Sequence, residues 1–242
     1  MKKVLLITCV LFFSIIISQN SVVNVSALNT GFSVVDIGEE EQEKIEGNLQ
    51  LTLITSEPTK FPVACFDVRE DGMLVIGCDA GPYKKTICVY NQGEFQYGYT
   101  FKSAGTFGVE WDGDLINLCT VRSSLVISID ANGQILQISK IEDTIANNSY
   151  WYDVGANEKS VQDQTYTIQN DLGILNLFAI NYSQLTSTNA DGQTTVLYDA
   201  RTIASAVSLL LTITIPVFVV IVVVGVIKEC IKCRREYESR YQ

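Results

Sequence analysis

Phe66-Asp-Val-Arg-Glu-Asp-Gly72-Met-Leu-Val-Ile-Gly-Cys78 is answered forty-one residues later by Phe107-Gly-Val-Glu-Trp-Asp-Gly113-Asp-Leu-Ile-Asn-Leu-Cys119. In each stretch two short apolar runs flank an Asp-Gly step, a strong signal of a tight hairpin, because glycine accepts the positive φ that such turns demand. After a one-residue gap the phase continues, with Ile87-Cys-Val-Tyr-Asn-Gln-Gly93-Glu-Phe95 matching Ile127-Ser-Ile-Asp-Ala-Asn-Gly133-Gln-Ile135. A third copy aligns at an ungapped offset of fifty-nine, Phe107 to Ile138 against Tyr166 to Leu197. There Asp112, Asn117, Leu118, Ser124, Ser128, Ala131, Gly133 and Gln134 recur as Asp171, Asn176, Leu177, Ser183, Ser187, Ala190, Gly192 and Gln193. Eight identities in 32 positions exceed the roughly two expected from average residue usage. Half of the matches, Asn117, Leu118, Ser128 and Gln134, lie in expected strands and not in turns, which argues against mere likeness between any two hairpins.

No long 3.6-residue periodicity interrupts the region from Leu49 to Ala200, so it reads as all-β. In the second copy the four strands are expected at about 106–111, 114–121, 125–130 and 134–138. Four strands in about 41 residues is the blade size of a β-propeller. The fold class expected is therefore an all-β exported domain of about three four-stranded propeller-like blades, followed by one C-terminal transmembrane helix. Propellers close with about four to eight blades. Three fall short, so either the fan stays open with covered ends or chains associate, a dimer supplying six.

The repeats resemble propeller repeats of the NHL type. The whole layout, with an export signal, three repeats and a C-terminal membrane helix, also resembles a group of uncharacterised single-pass membrane proteins of clostridial-type bacteria. That resemblance implies location and architecture and carries no activity with it.

Both ends of the chain point to a membrane. Lys2 and Lys3 precede an uncharged apolar run from Val4 to Ser18, and Val25-Ser26-Ala27 offers a cleavage site, so residues 1–27 read as a signal peptide or an uncleaved anchor. An acidic spacer is expected at 28–47, the repeat domain at 48–201, a span at 202–227 and a basic tail at 228–242. Residues 203–227 contain no charge, and at ~1.5 Å per residue they exceed the ~30 Å hydrocarbon core. Lys228, Lys232, Arg234 and Arg235 follow the span, which by the positive-inside rule makes the tail cytoplasmic and the bulk of the chain extracytoplasmic. These residues also face anionic lipid of the inner leaflet. Between Leu28 and Arg201 stand 24 acidic and 10 basic residues, an outward acidity that disfavours close contact with anionic headgroups.

Of the 242 residues none is histidine, which excludes every His-dependent triad, metal site and haem ligand. A net charge of −10 argues against nucleic acid as a partner. Cys78 and Cys88, at the ends of facing strands, are the pair for a disulfide if the compartment oxidises them; the alternative is buried thiols packing as small hydrophobes. Cys230-Ile-Lys-Cys233 has CxxC spacing but too few ligands for zinc, and no cofactor or metal is expected. Asn147-Asn-Ser149 and Asn181-Tyr-Ser183 are glycosylation sequons. An insertion near 142–163 carries Tyr150-Trp151-Tyr152, clustered aromatics expected as the partner contact, or else as a cover for an open blade edge. The expected function is a non-catalytic interaction or sensing module with a protein partner or self-association. The alternatives are a structural subunit of an envelope complex or a carboxylate-dependent hydrolase.

Overall fold

A computed structural model of the protein describes residues 28–240, so the expected export signal at 1–27 lies outside the described residues. Fourteen strands form three antiparallel sheets. The first sheet has the order β2 (Thr52–Ile54), β6 (Glu94–Lys102), β5 (Lys84–Asn91), β4 (Leu74–Asp79), β3 (Val63–Val68). The second has the order β1 (Val34–Asp36), β10 (Ile135–Ile141), β9 (Leu125–Ile129), β8 (Leu115–Thr120), β7 (Phe107–Asp112). The third runs β11 (Glu158–Val161), β12 (Gln164–Gln169), β13 (Gln184–Asn189), β14 (Thr194–Asp199). None of the sheets closes on itself. Helix α1 (Glu39–Leu49) arises within the acidic stretch expected as a spacer, α2 (Ile145–Val154) within the insertion, and α3 (Arg201–Arg240) continues the last strand.

Strands β7 to β10 of the second sheet fall within three residues of their expected bounds, because their turns are locally encoded. Gly113 at φ +58 and Gly133 at φ +83 make the two Asp-initiated hairpins. In the second of these, Asp130 Oδ1 accepts the N–H groups of Asn132 and Gln134 at 3.0 and 2.7 Å.

The third repeat is placed differently from its alignment. The stretch aligned with β8 is a 3-10 turn, Gly173–Phe178, entered through Gly173 at φ +58. The fourth strand of this sheet is β11, drawn from the insertion. The insertion is thus not a loop. It crosses the outer face of the second sheet as α2 and then starts the third.

Burial explains the stacking order. The runs Val-Ala-Cys-Phe-Asp-Val, Leu-Val-Ile-Gly-Cys-Asp and Thr-Ile-Cys-Val-Tyr are almost continuously apolar, as strands buried on both faces must be. One face of the first sheet, with Val75, Ile87, Val89 and Phe101, packs on Val109, Ile116, Leu118 and Ile127 of the second. Its other face, with Phe66, Leu74, Ile76 and Tyr90, packs on Tyr166, Ile168, Leu185 and Tyr198 of the third. The first sheet is therefore the middle layer. The third sheet docks against it and does not follow on from the second.

The two outer layers are finished differently. On the third sheet Thr165, Thr167, Thr186, Thr188 and Thr194 share the face away from the core by register with Val196, so that face is mainly polar. On the second sheet the outer face carries the buried Glu110, Asn117, Cys119, Val126 and Ser128, covered by α2 and the segment from Leu28 to Val34. Phe32 is wedged there against the rings of Tyr150 and Trp151, with centroids 4.7 and 4.8 Å away.

Helix α3 is long and apolar enough to cross a membrane. A single residue, Ala200, separates it from β14. Ala204 and Ser208 are buried against the domain, and beyond Ser208 no described residue of the helix is buried. The helix continues through the basic tail and contains Pro216 mid-span.

Candidate functional site

The ends of the strands nearest the root of α3 enclose a cavity of about 770 Å³. Phe61 and Pro62 approach it from the loop ahead of β3, Phe107 from β7, Ile180 from the loop after the 3-10 turn, and Ile203, Val207 and Ser208 from the first two turns of α3. Its volume and mainly apolar walls match small-molecule and peptide-anchor sites, in which a few polar groups set orientation. Here the polar group is Lys85, whose side chain is only 4% exposed and whose Nζ lies 2.6 Å from Asp79 Oδ1. The two sit opposite each other at the start of β5 and the end of β4. A lysine buried in this way requires its counter-ion, and the half-open Asp79 keeps one edge of the pair in solvent.

The root of the helix is fixed by charge as well as packing. Arg201 donates to both carboxylate oxygens of Asp199 and to Asp171 Oδ2 at 3.0 Å. Hydrogen bonds from Arg201 hold the Asp199 carboxyl below its ordinary range. Nearby, Tyr198 Oη donates to the Phe61 carbonyl at 2.9 Å, and burial raises its phenol far above its usual range.

A second, shallower cleft of about 460 Å³ lies where the edge strands β3, β7 and β11 converge. Four carboxylates line it, Asp67, Glu110, Asp153 and Glu158, and a hydrolase would need a convergent pair among them. The two on the sheet strands β3 and β7, Asp67 and Glu110, are already engaged. Asp67 accepts Lys159 Nζ at 3.0 Å and the Trp111 backbone N–H at 2.7 Å. Glu110 accepts the hydroxyls of Tyr150 and Thr30 and the thiol of Cys119.

The residues singled out in the sequence separate in space. Tyr150 and Trp151 turn inward onto Phe32 and Glu110, while Tyr152 is 83% exposed. The aromatic cluster is split, with two members covering the second sheet. Cys78 and Cys88 are diagonal neighbours on one face of the first sheet, since Cys78 opposes Thr86 and Cys88 opposes Ile76. Both are buried free thiols. Burial pushes Cys78 up to about 12, and its Sγ lies 3.3 Å from Tyr198 Oη. Lys228, Lys232, Arg234 and Arg235 are exposed along the extension of α3, as are Cys230 and Cys233.

Asn147, the acceptor of the first sequon, is 1% exposed. Its amide bonds Ser33 in both directions and donates to the Glu142 carbonyl, which leaves nothing for a glycan in the folded protein. Neither Lys85 nor the cavity was flagged by sequence. Lys84-Lys85 reads as two solvated lysines, and only strict strand alternation hints that one of them turns inward.

No known protein family, curated protein or solved structure matches the chain.

Proposed function

We propose that the chain is a single-pass, membrane-anchored interaction or sensing module without catalysis, its sheets outside the cytoplasm and its basic tail inside. The three sheets act as propeller-type blades in an open fan, with β3, β7 and β11 as the inner strands. The polar face of the third sheet and the covered face of the second support an open fan over a six-blade dimer.

One observation carries the functional reading: the cavity is built jointly by the sheets and by the first two turns of the apolar helix. Whatever occupies it touches both at once. A protein partner presenting an apolar anchor is the occupant that fits an interaction module; lipid is the surrounding of the rest of the helix.

The test is affinity purification of the tail-tagged full chain from native membranes, beside a Val207→Trp variant that fills the cavity from a half-exposed wall position. A stoichiometric partner held by the wild type and lost from the variant is expected. Recovery of the chain alone, or a partner indifferent to Val207→Trp, overturns this reading.

A further inference from the structure

We infer that the loop from Asp171 to Tyr182 is a second membrane contact, lying in the headgroup and acyl boundary of the leaflet on the domain's side. This rests on α3 spanning the bilayer. It does not depend on what fills the cavity or on which side the domain lies.

The loop is unusual in composition and exposure. Ile174, Leu177 and Ile180 are 90, 80 and 74% exposed, although a soluble surface seldom presents three large aliphatic residues together. The 3-10 turn that carries two of them packs against the root of α3. On the neighbouring β4–β5 hairpin Tyr83 is 68% exposed, and its carbonyl accepts the N–H of Ser103 at 3.0 Å. A tyrosine beside the root of a span belongs to the chemistry of membrane interfaces.

Helix length places this loop at lipid depth. Ser208 is the last buried residue of α3, and the nineteen residues 209–227 that remain before Lys228 rise about 28 Å. That is close to the ~30 Å hydrocarbon core, so no uncharged helix is left over to hold the domain away from the surface. The first two turns, and the loop against them, must lie at the boundary itself.

Charge agrees with this placement. Around the same end Lys84, Lys102 and Arg122 are exposed, and none has an ion pair among the described residues. Of the acids there, Asp79 pairs with Lys85 and both Asp171 and Asp199 with Arg201, whereas the exposed Glu142 and Asp143, beside Arg122, have no ion pair among the described residues. Further acids without an ion pair among the described residues, Asp112, Asp130 and Asp191, sit in hairpins at the opposite end. Part of the acidity expected to repel anionic headgroups is thus turned away from the bilayer, and Lys84, Lys102 and Arg122 face its phosphates.

The experiment reconstitutes the full chain in phosphatidylcholine and phosphatidylglycerol vesicles with brominated acyl chains and reads tryptophan quenching above the background of Trp111 and Trp151. Ile174→Trp and, one turn on, Leu177→Trp report the loop. Phe218→Trp reports the span, and Leu136→Trp the far end of the second sheet. Expected is quenching at 174 and 177 of about half that at 218 or more, with none at 136. Quenching at 218 alone overturns the inference and leaves the loop to a protein partner. Its absence at 218 as well overturns the membrane span on which the inference rests.

Discussion

Lys85 and Asp79 show how little a pair of charges announces itself. Their burial depends on which of two adjacent lysines faces the root of α3, a matter of register set by the β4–β5 hairpin. The two halves of the pair are not equivalent. Asp79→Ala strands a buried ammonium and is expected to cost about 3–5 kcal/mol, whereas Lys85→Met keeps the stem, leaves a partly solvated carboxylate and is expected to cost under about 1 kcal/mol. Thermal unfolding in mild detergent ranks the two variants, and equal losses would mean that the pair is solvated. The thiols teach a related lesson. Facing strand ends suggested a bond between Cys78 and Cys88, but one step of diagonal register decides how their sulfurs lie, and that step belongs to pairing rather than spacing.

Among the elements, the hairpins were legible and the helices were not. Asp-Gly and Asn-Gly steps encode their turns within four residues, so β7 to β10 could be placed from sequence. Helix α2 has no apolar stripe, since Ile145-Ala-Asn-Asn-Ser-Tyr-Trp-Tyr-Asp-Val mixes polar and aromatic residues all round. Contacts distant in sequence hold it, chiefly Asn147 to Ser33 and Tyr150 to Glu110. Asn147→Ala removes three hydrogen bonds at a buried position and is expected to destabilise by about 2–4 kcal/mol. Hydrogen exchange should rise first in residues 28–36, and unchanged protection there would mean that Phe32 alone secures the segment. The 3-10 turn misled for the opposite reason: Gly-Ile-Leu-Asn-Leu-Phe has the apolarity of a strand, and the environment that uses this apolarity is not written in the chain.

For the molecule as a whole, composition gave the class and burial gave the arrangement. Apolar runs identified a β-rich domain beside a long apolar helix, but they do not say which sheet is sandwiched. That follows only from comparing the doubly apolar first sheet with the threonine-faced third. With the outer face of the second sheet covered and that of the third mainly polar, the sheets expose only scattered apolar side chains, among them Val35, Leu53 and Val196, to a second copy. Sedimentation of the full chain in mild detergent, corrected for bound detergent, is expected to give one chain per micelle; a stable pair would reveal a face still unsatisfied. The join between β14 and α3 has a mechanical consequence. With Ala200 as the whole connection, and with Arg201 bonded to carboxylates on both sides of it, there is no swivel. Torque applied to the helix turns the three sheets with it, and a load caught at their far edge twists the helix in return. The domain is geared to its anchor like a key to its shaft.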